Sequence, residues 1–114
     1  MPWTRNDFKR GQARTLTRLI HDAYFNIDNM RFDEPAGVWS LPIGSNKLGP
    51  FERELRITGA KAVRVRDTER IGIYDIGALK FDDRRQELEL VCNVPLGVRI
   101  EVNPDFVVFL NDVS

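Results

Sequence analysis

The sequence predicts an α+β domain, mainly antiparallel β, with one N-terminal amphipathic helix packed on a β-sandwich or a bent, barrel-like sheet. Three observations carry that expectation. A helical period is confined to the N-terminal part of the chain, where Phe8, Ala13, Leu16, Leu19, Ile20 and Ala23 share one side of a wheel and Arg10, Arg14, Arg18 and His21 the other. From residue 24 onward apolar and polar residues alternate in short runs, with turn signals recurring every roughly 8 to 12 residues, which predicts about seven or eight strands. The connections are too short for parallel crossovers, so the pairing is antiparallel.

The chain of 114 residues reads as a single domain, 1–114. Residues 1–10 are expected to be a loose lead-in and 11–23 the helix, because Arg5 and Lys9 would fall on the apolar side of a longer one. Gly11 marks its start or separates an early turn from it. Residues 24–114 are β-rich. "AYFNIDNMRF" and "VWSLPI" (38–43) form a hairpin around the turn "EPAG". "GSNKLGP" is a loop. "FERELRI" alternates with Leu55 and Ile57 inward, Thr58-Gly59 marks a bend or bulge, and "KAVRVRD" continues with Val63 and Val65 inward. "IGIYDIGALKFD" is one extended segment kinked at Gly77. "ELELVC" turns Leu88, Leu90 and Cys92 inward, and "VRIEV" turns Val98, Ile100 and Val102 inward. "NPD" is a turn, and "FVVFL" is a strand buried on both faces.

The order of elements weighs against two named architectures. A pleckstrin-type barrel ends in a helix, and an oligonucleotide-binding barrel carries one between its middle strands. A cystatin-like roll has a helix followed by antiparallel strands, but with a longer helix and fewer strands than are read here.

Composition narrows function by exclusion. The 17 basic and 17 acidic side chains cancel, so no global field draws the protein to nucleic acid or anionic membrane. One cysteine and one histidine leave no intramolecular disulfide and no cysteine- or histidine-rich metal site. The polar N-terminus and the lack of a long apolar run predict a cytoplasmic protein without a membrane span. No cofactor loop is found: "GIYDIG" lacks the Lys-Ser/Thr of a phosphate loop and opens no helix.

Within that neutral total the charge is polarised. The first twenty residues hold five basic side chains and one acidic, and the remainder holds twelve basic and sixteen acidic. Arg10, Arg14 and Arg18 recur at i, i+4 and i+8 and line one face of the expected helix, with His21 beside them. These four residues are the candidate interaction surface. His21 precedes Asp22, but neighbours on a helix point about 100° apart and do not face each other. The acidic groups Asp28, Asp33, Glu34, Asp82 and Asp83 sit in turns, and Cys92 reads as a small core residue. Trp3 is expected to fold back over the helix, and Trp39 to be either core or an exposed contact. Arg64, Arg66, Arg99 and Glu101 read as outward charges that protect sheet edges.

These residues point first to a small non-catalytic protein acting through a protein–protein surface, with itself or with a partner. A bacterial toxin-immunity or similar inhibitory protein fits that profile. The alternative is a small-molecule-binding barrel or roll with a cavity between helix and sheet, lined by His21, Tyr74 and Trp39. A third reading, nucleic-acid binding through the arginine stripe, is disfavoured because three arginines supply few phosphate contacts.

Overall fold

In the computed structural model, which describes residues 2–113, the elements follow in the order β1 (Pro2–Thr4), α1 (Arg5–Lys9), α2 (Arg14–Ile20), β2 (Tyr24–Asn26), β3 (Arg31–Asp33), β4 (Val38–Ile43), β5 (Arg53–Arg66), β6 (Ile73–Asp82), β7 (Glu87–Cys92) and β8 (Gly97–Asp112). The protein is α+β and dominated by antiparallel sheet, as the alternation predicts. The strands run in the order β2-β6-β7-β8-β5-β4-β3, with β1 attached to β8. No helix among the described residues is long and apolar enough to cross a membrane.

β8 is the spine. Its first half lies between β5 and β7, and its second half between β5 and β1. Val98, Ile100 and Val102 are all buried, as period two requires of a strand with one face on the core. The expected turn at "NPD" is instead the bend inside this strand. Residues 103–106 have no ladder partner, so the missing N–H of Pro104 costs no hydrogen bond there.

β2 closes the sheet. It pairs with β6 along Ile73–Asp75 and is tied to the end of β4 by two bonds, from Tyr24 N–H to the Gly44 carbonyl (2.7 Å) and from Gly44 N–H back to Tyr24 (3.0 Å). Residues 23–32 are therefore not one strand of a hairpin. A 3₁₀ turn at Ile27–Asn29 divides them, and only β3 pairs with β4. The enclosed core gathers Phe25, Trp39, Leu41, Ile43, Leu55, Ile57, Tyr74, Ile76, Leu88, Leu90 and Val108, with Leu16 and Ile20 of α2 covering it.

The N-terminus departs most from expectation. Residues 1–10 are not a loose lead-in: Trp3 is 5% exposed in β1, opposite Val108, rather than folded over the helix. Thr4 caps α1, and the Asp7 carboxylate accepts from the Thr4 N–H at 2.7 Å and from its hydroxyl at 3.1 Å. Phe8 fastens α1 through its ring contacts with Phe106 (5.8 Å) and Phe81 (6.2 Å). Arg5 and Lys9 are no misfits, because both reach Asp83 in the β6–β7 turn, at 3.0 and 3.5 Å. Of the helix expected over 11–23 only Arg14–Ile20 is helical, and α1 is a separate earlier helix set off at Gly11, as the second reading of that glycine has it, because no helix accommodates its φ of +72°. Leu19, placed on the apolar side of the wheel, is exposed in α2, and Val65 is exposed at the end of β5.

Candidate functional site

The helix pair leaves a groove of about 610 Å³ between α2 and β6. Phe8, Gly11, Ala13, Arg14, Thr17, Arg18 and His21 line one wall, and Ala78, Leu79, Lys80 and Phe81 line the other. Two features of the sequence make it. The left-handed turn at Gly11 sets α1 and α2 apart. The bulge at Gly77 shifts the register of β6 against β7 just where β2 stops.

The floor is apolar and the rim is cationic. Ala13 and Leu79 are buried and Phe8 and Phe81 half-buried, while Arg14, Arg18 and Lys80 are exposed. Among the described residues, no carboxylate lies within ion-pair distance of Arg14, Arg18 or Lys80. Some cations elsewhere on the sheet are matched, with Arg64 and Arg99 (3.9 Å) flanking the buried Glu87 and Lys61 meeting Glu101 at 3.6 Å, whereas Arg31 and Arg53 reach only backbone carbonyls.

The expected stripe of Arg10, Arg14, Arg18 and His21 survives only in part. Arg10 belongs to the end of α1 and does not line the groove, because the Gly11 turn breaks the i, i+4, i+8 spacing. His21 and Asp22 do face each other, with Nε2 and Oδ2 3.5 Å apart, contrary to the helical expectation. The helix stops at Ile20, and Asp22 adopts a left-handed φ of +65°, which swings its side chain back toward the ring.

His21 Nδ1 lies 3.1 Å from the Gly77 carbonyl, so that nitrogen carries a hydrogen and donates it. Nε2 is the nitrogen facing Asp22. This is the reverse of a hydrolase relay, in which the carboxylate orients Nδ1 and leaves Nε2 for the nucleophile. No hydroxyl or thiol hydrogen-bonds to His21 among the described residues. The imidazole's work in this geometry is to tie α2 to β6.

The other two pocket candidates lie outside the groove. Trp39 is fully buried in the core of β4. Tyr74 is 1% exposed; its hydroxyl donates to the Asp67 carboxylate and accepts from the Ile71 N–H at 3.2 Å. Burial and then the Asp67 hydrogen bond push its pKa up. Neither side chain lines the groove that holds His21. Cys92 is half-buried, and burial with the nearby charge of Asp75 pushes its thiol pKa to about 12. Among the described residues no three acidic, cysteine or histidine side chains converge as a metal site would need.

Lys80 and Phe81 were not anticipated as site residues. They lie far from the arginines in sequence, and only the fold joins them. Comparison with family models, with curated proteins and with solved structures finds no match.

Proposed function

We propose that this protein is a non-catalytic binding module that holds an anionic protein partner in the α2–β6 groove. The observation that carries this reading is the set of three cations, Arg14, Arg18 and Lys80, left without ion partners around an apolar floor. Among the described residues Arg10, Arg31, Lys47, Arg53, Arg66, Arg70 and Arg84 also lack an ion partner; what sets these three apart is that they surround an apolar floor, which makes a surface complementary to another molecule. Use of a single unpaired cysteine fits work in the reducing cytoplasm. An inhibitory role, in which the module covers an acidic working surface of its partner, is the form of interaction the charge pattern suits.

A second reading is favoured by the groove's size, which falls within the ordinary range for small-molecule sites. An amphiphilic organic anion would place its apolar body on Phe8, Leu79 and Phe81 and its charge on the arginines.

The test is affinity capture from the native cells with the wild-type protein, the groove variant Arg14→Gln/Arg18→Gln/Lys80→Gln and the control Arg84→Gln/Arg85→Gln, whose arginines lie in the β6–β7 turn. A stoichiometric protein retained by wild type and control but lost by the groove variant supports the proposal once crosslinks place it against α2 and β6. Equal retention by all three refutes it. An added small mass on the natively purified protein, absent from the groove variant, supports the second reading instead.

A further inference from the structure

Strand geometry says what shape of partner the groove accepts. Successive side chains of a strand point to opposite faces of its sheet. A cleft on one face of β6 would therefore be lined by alternate residues. This one is lined by four in succession, Ala78, Leu79, Lys80 and Phe81, so it runs along the strand's edge. On the other edge of that stretch stands β7, pairing with Ala78 through Asp82.

The open edge is the portion of β6 that β2 fails to cover. β2 pairs only with Ile73–Asp75. At Ile76 the chain after α2 takes over: the Ile76 N–H donates to Ala23 at 2.9 Å, and its carbonyl accepts from Asp22 at 2.8 Å. At Gly77 the carbonyl accepts from His21. Beyond Gly77, nothing among the described residues hydrogen-bonds to Ala78–Phe81 from the groove side. Side chains of the helices, Phe8 on Phe81 among them, pack beside the strand there without bonding its main chain.

From this juxtaposition we propose that the partner enters as an extended acidic segment and adds to β6 as a further strand along Ala78–Phe81. The proposal rests on the binding-module reading and gives its groove an occupant. Four strand residues at about 3.4 Å each span about 14 Å, enough for a segment of roughly four to six residues. Its main chain pairs with the β6 edge. One alternate set of its side chains meets the apolar floor, and the other meets Arg14, Arg18 and Lys80. An alternating acidic–apolar sequence is the one that satisfies both.

Another open edge, Lys61–Arg66 of β5, is a poorer host. β4 pairs with β5 only as far as Thr58, and the Ala60 N–H donates to the Gly37 carbonyl at 2.9 Å, so the edge is unpaired beyond it. Two of its cations are committed, Arg64 to Glu87 and Lys61 to Glu101, which leaves Arg66, and the hollow that takes in Arg64 is lined mainly by charged side chains rather than by an apolar floor.

The experiment selects from a random peptide display library, with inserts of roughly eight residues, on the immobilised wild-type protein and on Arg14→Gln/Arg18→Gln. The best binder is then synthesised with a single backbone N-methyl group at each position in turn. The expected result is enrichment of alternating acidic and apolar residues on wild type only. N-methylation should then weaken binding about five- to tenfold at every second residue and little between, the signature of one lost main-chain hydrogen bond. A binder insensitive to N-methylation at every position overturns strand addition and leaves the binding groove standing. Enrichment of the same sequences on wild type and on Arg14→Gln/Arg18→Gln, or of none on either, overturns both. A homodimer joined through Ala78–Phe81 in the absence of peptide overturns the proposal by giving the edge to a second copy.

Discussion

Substituting alanine for two glycines separates backbone strain from a close approach that holds the groove together. Gly11 and Gly59 both have left-handed backbones, with φ of +72° and +76°. A side chain in that region costs about 1–2 kcal/mol. Loss of glycine's freedom in the unfolded chain returns about 0.4–1 kcal/mol. At Gly11 a Cβ meets nothing within 4 Å, so Gly11→Ala should destabilise by only about 1 kcal/mol. At Gly59 the Cβ would stand 3.0 Å from Phe106 Cα and 3.4 Å from its N and Cβ. That neighbour is backbone and 1% exposed, so it yields only by shifting β8, which adds about 1–3 kcal/mol of overpacking. Gly59→Ala should therefore lose about 2–4 kcal/mol in total. Phe106 also packs on Phe8 at 5.8 Å and Phe81 at 5.1 Å, two residues of the groove wall, so the shift should reach the site. Urea unfolding followed by the fluorescence of Trp3 and Trp39, both buried, gives both free energies at a common m-value. Equal losses in the two variants would refute the close-packing account of Gly59.

Four further outcomes are expected. Cys92, whose thiol pKa is pushed to about 12, should react with thiol reagents at mildly alkaline pH only as fast as the protein opens, and a native thiol titrating near its ordinary value of about 8.5 would contradict this. Desolvation raises the Asp83 pKa, but the hydrogen bond from Gln86 and the charges of Lys9 and Arg5 outweigh it and hold it below the ordinary value. The contribution of Asp83 to stability is thus present above the unfolded pKa and is lost as pH falls through the folded one, so Asp83→Asn should lower the urea midpoint at neutral pH and leave it unchanged in strong acid. Arg64→Ala should cost about 1–3 kcal/mol and exceed the cost of Glu87→Gln in the same assay, because the first strands a buried carboxylate beside Arg99 alone while the second leaves arginines that water can reach. Arg14→Glu/Arg18→Glu/Lys80→Glu makes the β6 edge acidic and complementary to Arg66, the cation without an ion partner on the open β5 edge of another copy, so sedimentation should show concentration-dependent head-to-tail association that added salt reverses.

Period two is legible wherever a strand has neighbours on both sides. Val98, Ile100 and Val102 lie between β5 and β7, and all three are buried as their alternation requires. The bulges at Gly59 and Gly77 are legible too, because glycine in a strand marks an irregular ladder. Partner choice is not. "AYFNIDNMRF" has the composition of one strand, and the 3₁₀ turn that sends its two halves to opposite ends of the sheet is fixed by the bond from the Ile27 N–H to the Gly72 carbonyl and by the pairing of Tyr24 with Gly44 and Asp75, all far away in sequence. Pro104 reads as a turn because local propensity cannot report that the ladder has already lapsed there. Of the groove, Arg14, Arg18 and His21 are visible in the sequence as a cationic face. Arg10 does not belong with them, since a wheel assumes an unbroken helix across Gly11. Glu87 reads as an outward strand residue, and it is Arg64 above it that makes it a buried one.

A chain of zero net charge with unpaired strand edges, those of β6 and β5 among them, has little general repulsion to keep copies apart, and open edges invite pairing. The placement of charge supplies what the total does not. One edge carries Lys61, Arg64 and Arg66, and the other lies beneath Arg14, Arg18 and Lys80. Contact between copies through these edges sets cations without ion partners, Arg66 on one and Arg14, Arg18 and Lys80 on the other, against each other, and like charges directly across a strand pair are destabilising. The carboxylates nearby are already held within the fold, Asp83 by Arg5 and Lys9, Glu101 by Lys61 and Glu87 by Arg64. Placement of the unpaired cations is thus an edge-protecting device in the fold. The same device decides which strand gets in: a segment that brings its own carboxylates meets no repulsion, and only at β6 does it also find an apolar floor for its other side chains.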